Sequence, residues 1–448
     1  MLGPVTGLTV LELGAGIGRF TGPLAASAAG VTAVDFMANL IAENEATHGA
    51  ACPHVTFRVG DATDLAVPPA SFDVVFSNWL LMYLGDAECA KLAADALAWV
   101  KPGGTVFFRE SCFRQSGDRA RATNPTHYRD PRAYFSLFDG VEIAEPCGGY
   151  AHYELVSCRC VDTYVRLKQN QNQLCWKWRK VVTPERRPAE FRHFLDGQQY
   201  STAGILKYER IFGDGFVSTG GAATTRDLCL GRLNLRPGEA VLDVGCGIGG
   251  GDFLMAHECG AVVRGLDLSV NMVLLAMQRA AAKGDARVRF EVADVMGADL
   301  EYGAFDVVYS RDTALHIPDK AALFARLFTV LKPGGRLLIT DYCRAPGAPS
   351  PGFAAYIAQR GYDLRPVAEY GGLLSAAGFA DVAAEDVTPA FEASLRAELA
   401  RAAAGKAEFV AEFSEADYGE VVGGWEAKLG RVAGGEQKWG LFYATKPL

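Results

Sequence analysis

A chain of 448 residues, half of them apolar and 21% charged, with a formal net charge of −8, has room for two or three globular cores at roughly 150 residues per domain. The acidic surplus excludes a basic nucleic-acid binder or an anionic-membrane binder, and no apolar run approaches the ~20 residues that cross a bilayer. The opening MLGPVTGLTV lacks the charged flank and apolar stretch of a secretion signal, and the eleven cysteines show no zinc-type double pair; a cytoplasmic monomer with reduced thiols and no metal is the expectation.

In chain order, a strand-like VLEL leads into the glycine loop LELGAGIGRF (11–20), then VTAVD ends at Asp35 and VTFRVGDA carries Asp61. SFDVVFSNWLLMYL (71–84) follows, then AWVKPGGTVFFRES (98–111), whose KPGG ends a helix and launches a strand because glycine supplies the positive φ such an exit needs. CVDTYVRLK, QNQNQ and LCWKWRKVV read as two strands about a polar turn, and the charged, proline-bearing TPERRPAEFR (183–192) reads as a linker. The series then begins again: LDVGCGIGGG (242–251), VVRGLD to Asp267, VRFEVADV with Asp294, AFDVVYSRDTALHI (304–317), TVLKPGGRLLITDY (329–342) and a closing QKWGLFYATKP. The offset between the copies stays between 231 and 233 residues throughout, which marks a duplicated domain. Short β-branched runs alternating with alanine-rich stretches predict parallel strands joined by crossover helices. The fold class is therefore α/β, with tandem Rossmann-like domains over 1–182 and 193–448 and a linker at 183–192.

In such sheets the ligand lies at the carboxyl ends of the strands. Glycines at Gly14, Gly16 and Gly18, and at Gly245, Gly247 and Gly249, let amides at a helix start approach it closely. Asp35 or Asp267 can accept both ribose hydroxyls, a device shared with nicotinamide enzymes. The first copy, however, reads G-x-G-x-G followed by Arg19 and fails the dinucleotide spacing, whereas the second satisfies both patterns through Gly250. Asp61 or Asp294 can accept an adenine amino group, and Glu12 or Asp243 can orient an ammonium. Ribose, adenine amine and amino-acid ammonium together describe S-adenosylmethionine, hence a class I methyltransferase. Leu268, Val295 and Arg311 in the second copy, and Ala62 and Asn78 in the first, complete the expected donor sites. A lone aspartate of this kind is usually only a turn residue; the recurrence of the whole set argues otherwise.

LELGAGIGRF, SNWLLMYL, FFRESCF with RQSGD, NPTHYR and NQNQLCW in the first half, and YERIFGDGFVSTGG, LDVGCGIGGGDF, DLSVNM, YSRDTALHI, TDYCRAP, QRGYDL, DYGEVVGGW and QKWGLF in the second, resemble the plant-type phosphoethanolamine N-methyltransferases with two tandem domains. The resemblance implies successive methylation of phosphoethanolamine through its mono- and dimethyl derivatives to phosphocholine, the first step in the amino-terminal domain and the later ones in the carboxy-terminal domain. His316 suits the proton acceptor the amine requires, and the resemblance pairs it with Tyr200, with Asp312 anchoring the ammonium or orienting His316. By the same resemblance Gln199, Tyr208, Ser218, Tyr342, Tyr356, Arg360, Tyr362 and Lys428 bind the acceptor. The first copy has Asn78, Trp79 and Tyr83 where the second has Arg311, Asp312 and His316, and Tyr128 and Arg129 are its candidate acceptor ligands. With no equivalent histidine and a short segment before its glycine loop, the first domain is expected to bind donor weakly and methylate poorly. The alternatives are another small amine as acceptor, and a first copy that is a regulatory pseudoenzyme.

Overall fold

The apolar runs of each copy lie side by side, and their order creates the ligand crevice. In the first copy β1 (Thr9–Leu13), β2 (Gly30–Asp35), β3 (Val55–Val59), β4 (Phe72–Asn78) and β5 (Val100–Ser111) are arranged β3-β2-β1-β4-β5, every neighbour parallel. β6 (Glu142–Ala144), β7 (Tyr150–Cys160) and β8 (Gln173–Thr183) extend this sheet antiparallel, β8 on β5, β7 on β8 and β6 on β7. In the second copy β9 (Ala240–Val244), β10 (Val262–Asp267), β11 (Val288–Val292), β12 (Phe305–Arg311) and β13 (Leu331–Arg344) repeat the order as β11-β10-β9-β12-β13. β15 (Gln437–Thr445) lies antiparallel between β13 and β14 (Ala380–Asp386). This computed structural model describes residues 1–113, 126–187 and 191–448. The RQSGD string, the first two residues of NPTHYR and residues 188–190 of the expected linker lie outside them.

Val10 and Leu11 in β1, like Val241 and Leu242 in β9, are buried on both faces of their strands, as in parallel sheets covered by helices on both sides. Strand order reverses at β1 and at β9, and a crevice opens there over the carboxyl ends. Glu12, Asp35 and Asn78 fall at that edge in one copy, and Asp243, Asp267 and Arg311 in the other. The KPGG segments are excursions at the start of β5 and β13: pairing jumps from Phe72↔Val100 to Val74↔Thr105, and from Phe305↔Leu331 to Val307↔Arg336.

The chain divides into two compact units, Met1–Glu190 and Phe191–Leu448. β8 runs through to Thr183 and a helix starts at Phe191, so both ends of the expected linker belong to regular elements. CVDTYVRLK is not a strand: Asp162–Lys168 is a helix with Asp162 in its first turn and Arg166 and Lys168 in its last, charges that complement the helix dipole. Val165 is fully buried while Leu167 is 77% exposed, a one-sided pattern that alternation does not describe, and Gln169 ends the helix in the left-handed region. The strand before β8 is instead β7. Among the described residues no helix is long and apolar enough to cross a membrane.

Candidate active site

In the second unit the chain leaves β9 through Gly245, Gly247 and Gly249 at φ of 80°, 54° and 84°. At Gly245 a Cβ would stand 1.9 Å from Thr313 Oγ1, so both backbone and space demand glycine. Asp267 fastens the loop: its Oδ2 accepts from Gly247 N (3.0 Å) and its Oδ1 from Ser269 N (2.8 Å), and each carboxylate oxygen retains capacity for a ribose hydroxyl. Asp35 does the same in the first unit, accepting from Gly16 N and Met37 N at 2.9 Å each. Asp243, Gly245, Gly247, Asp267, Leu268, Asp294, Val295 and Arg311 all line one cavity of about 330 Å³. Asp294 stands exposed there and accepts from Met296 N (2.9 Å).

Two of these residues have their own internal partners. Arg311 donates to Thr225 Oγ1 (2.8 Å) and to the Thr219 carbonyl, tying the FVSTGG segment over the cavity. Burial pushes Asp243 up to about 7, and the charge of Asp267 adds to this; burial, together with the charge of Asp243, also raises Asp252 well above the usual carboxylate range. In the first unit Glu12, also raised to about 7 by burial, accepts instead from Thr21 Oγ1 at 2.6 Å.

A second cavity of about 320 Å³ is lined by Gln199, Tyr208, Tyr342, Tyr356, Arg360, Tyr362 and Lys428, and it shares Tyr200, Val217, Asp312 and His316 with the first. The two spaces therefore meet at the residues expected to act on the amine. Ser218 lines the first cavity, next to the shared Val217, and is not among the residues lining the tyrosine-rich one.

His316 ends the short turn Ala314–His316 after β12. Its ring is packed against Tyr362 at 5.1 Å, Phe191 at 5.7 Å and Tyr200 at 6.5 Å, and its buried Nδ1 has no hydrogen-bond partner. Burial, followed by the charges of Lys320 and Arg360, pulls its pKa down to about 4, leaving a neutral imidazole with an unpartnered ring nitrogen. The Tyr200 hydroxyl accepts from Gln199 Nε2 (3.0 Å), and burial raises its pKa, so the phenol keeps its proton.

Asp312 adopts φ 51°, a left-handed conformation that costs a non-glycine residue of order 1–3 kcal/mol. Its Oδ1 accepts from Trp439 Nε1 (2.7 Å) and Thr340 Oγ1 (3.2 Å), while its Oδ2 is buried without a partner. An orphan carboxylate oxygen facing a cavity calls for a cationic donor.

Lys428 Nζ donates to Tyr342 Oη (3.2 Å) and lies 4.7 Å from the Trp425 ring; burial lowers its pKa to about 8 against the opposing charges of Glu398 and Asp312. Arg360 lies 5.9 Å and Arg431 3.9 Å from the ring of Tyr356. Arg431 and Trp425 escape the sequence reading although both line this cavity. The signal was available for Arg431, which follows Lys428 by three positions on the helix Glu415–Ala433 and so shares its face.

The segment carrying Tyr200 is pinned to the donor side. Asp196 Oδ1 accepts from Ser269 Oγ (2.6 Å) and Asn271 N (3.3 Å), and its Oδ2 from Val270 N (3.2 Å), at the start of the helix Val270–Lys283. Asn271 Nδ2 returns a bond to the Tyr200 carbonyl (3.0 Å). A carboxylate there is favoured by the helix dipole. Asp196→Asn is expected to raise KM for the donor about 3- to 10-fold, the size of a lost helix-cap interaction, as read by initial rates against donor concentration.

The first unit inverts part of this arrangement. Trp79 stands at Asp312's position, also left-handed at φ 55°, and its N–H donates to Arg109 O (2.8 Å) as that of Asp312 donates to Thr340 O (2.7 Å). Trp79 Nε1 donates to Gln173 Oε1 (2.8 Å), so here the turn supplies the indole and the last strand the acceptor. Tyr83, in place of His316, is 47% exposed. Gly14 and Gly16 repeat the loop, at φ 70° and 54°; Asp61 is exposed and accepts from Thr63, and Ala62 is buried beside it. Asn78 faces a cavity of about 430 Å³ shared with Phe20, Phe107 and Arg109. Arg129 is committed elsewhere than to an anion: it donates to the carbonyls of Leu81 (2.9 Å) and Leu84 (2.6 Å) and pairs with Asp86 at 2.8 Å. Tyr128, beside it, is half-buried.

Residues 10–104 and 235–360 each match a family model described as a methyltransferase domain. Phosphoethanolamine N-methyltransferase 1 of Arabidopsis thaliana is 51% identical over 448 residues, spanning 100% of this chain and 90% of its own length. Its namesake from Triticum aestivum is 52% identical over 442 residues, or 98% of this chain and 88% of that one. The solved structure of Haemonchus contortus phosphoethanolamine N-methyltransferase 2 with phosphomonomethylethanolamine and S-adenosylhomocysteine matches at a TM-score of 0.82 and 28% identity, over 98% of this chain and 96% of that one. With the full length shared at this identity and both repeats matched, the chain belongs to the phosphoethanolamine N-methyltransferase family.

Proposed function

We propose that the chain methylates the amine of phosphoethanolamine and its mono- and dimethyl derivatives with S-adenosylmethionine, ending at phosphocholine, and that its second unit performs the later steps. The observation that carries this reading is the meeting of two cavities at Tyr200, Asp312 and His316, with Arg360, Lys428 and Arg431 lining the acceptor side. A zwitterion with an ammonium at one end and a phosphate at the other is complementary to a carboxylate at the junction and cations beyond it.

S-adenosylmethionine supplies an electrophilic methyl on a sulfonium. An alkylammonium with a reference pKa of about 10.4 must first lose a proton, and neutral His316 is poised to take it. Asp312 holds the amine end, the aromatic rings exclude water, and the cations fix the phosphate. In each turnover a nitrogen–carbon bond forms as the sulfur–carbon bond breaks, and the proton leaves on His316.

Trp79 and Tyr83 give the first unit neither carboxylate nor imidazole at the junction, which supports slow conversion of phosphoethanolamine itself. In this reading the enzyme works as a monomer in the cytoplasm, testable by size-exclusion chromatography and cell fractionation. Incubating the full chain with donor and either phosphoethanolamine or its monomethyl derivative, then resolving products by mass spectrometry, is expected to show rapid conversion of the second and slow conversion of the first. Equal turnover of ethanolamine lacking phosphate would remove the argument from the cations.

A further inference from the structure

Lys320 has no part in the reaction as described, yet it is only 2% exposed. It opens the helix Lys320–Val330 just after the His316 turn, and its Nζ donates to the carbonyls of Ala314 (3.0 Å), Ile317 (3.2 Å) and Asp363 (2.7 Å). The first two carbonyls bracket the turn bearing His316, and the third adjoins Tyr362, whose ring packs on that histidine. One ammonium thus joins the proton acceptor to the acceptor cavity's wall.

The first unit reaches the same result by another route. Leu81 and Leu84 occupy the positions of Ala314 and Ile317 in the repeat, 233 residues earlier, and their carbonyls receive Nη1 and Nη2 of Arg129. That arginine comes from the segment before the helix Pro131–Asp139, not from the helix that follows the turn. Both copies therefore place a cation on the same pair of carbonyls, with a different residue from a different element. A buried C=O without a donor costs free energy comparable to a lost hydrogen bond, and a many-donor cation satisfies several at once.

We propose that Lys320 is a positioning residue of the methyl-transfer site, holding His316 against Tyr362, and that Arg129 does the same for the Tyr83 turn of the first unit. This rests on reading His316 as the proton acceptor. Lys320 also faces Asp341 on β13, Asp363 and Arg365 beyond Tyr362, and the ring of Tyr370 at 5.6 Å, while His316 faces Lys320, Arg360, Tyr200 and Tyr362. Loss of the ammonium removes a positive neighbour of His316 and makes the imidazole easier to protonate.

The test uses the full chain with phosphomonomethylethanolamine, comparing K320M, K320R and H316N with the unaltered protein. K320M is expected to lower kcat about 10- to 100-fold, the effect of a small misplacement, with donor KM little changed and the acid limb of the kcat–pH profile moved to higher pH. K320R is expected to recover most of the rate and the original profile, since Arg129 shows a guanidinium serving these carbonyls. An unchanged K320M, or a K320R that loses rate as severely as K320M, overturns the proposal; if K320M does not fold, K320R alone decides in the same way. H316N separates the two readings: activity retained there sinks the proton-acceptor assignment, whereas inactive H316N beside fully active K320M sinks the clamp.

Discussion

His316→Asn lowers kcat for the monomethyl acceptor by about 10²- to 10⁴-fold, the usual worth of a positioned acid–base group, and leaves S-adenosylhomocysteine affinity close to its original value. The imidazole lies where the two cavities meet, its Nδ1 has no protein partner, and its pKa of about 4 keeps it neutral at physiological pH. Asparagine fills similar space but cannot carry the proton away. Single-turnover kinetics separates the chemical step from donor binding, and a variant that keeps its full rate at saturating substrate would require another proton acceptor. The same residue shapes acid stability. Its folded pKa of about 4 lies below the free value of 6.5, so between these limits the unfolded chain binds more protons and stability falls as pH drops from about 6.5 toward 4. His316→Asn removes this contribution, and the fall in melting temperature between pH 7 and pH 5 is expected to be smaller in the variant.

Asp312→Asn raises KM for the methylated acceptor roughly 30-fold or more, the lower end of the cost of breaking a buried charge pair. The replacement keeps a carbonyl oxygen for Trp439 Nε1 and Thr340 Oγ1 and removes only the charge behind the orphan Oδ2. It therefore distinguishes an ammonium anchor from a mere strut. Isothermal titration with acceptor in the presence of S-adenosylhomocysteine reads the binding directly, and unchanged affinity would assign Asp312 to the indole alone.

The glycine loops, the acids at strand ends and the duplicated succession of strands were legible because they are local: β-branched runs, positive φ and a fixed offset need no tertiary knowledge. Asp162–Lys168 misled for the opposite reason, since a seven-residue segment in which Thr163, Tyr164 and Val165 stand together becomes helical only through its charged ends and one buried face. Arg129 shows a further limit. A cation beside an aromatic residue looks like an anion ligand until the Leu81 and Leu84 carbonyls that receive it are seen. Arg311 grips the Thr219 carbonyl beside Ser218, a contact between segments that are far apart in the chain. Trp439 meets Asp312 from a strand that arrives more than a hundred positions later, and no spacing rule links the two.

The inverted indole contact constrains how the halves can change. Turning the first copy's indole contact into the second's requires two replacements, an acid for Trp79 and an indole for Gln173. An acid alone faces the Gln173 carbonyl oxygen, and turning that amide over forfeits its bond from Nε2 to Ser111 Oγ (2.6 Å). An indole alone sets two N–H donors against each other. Either first step leaves a polar group unpaired at about 1–3 kcal/mol. At this contact a single substitution costs stability until the second repairs it, so the two positions are expected to change together.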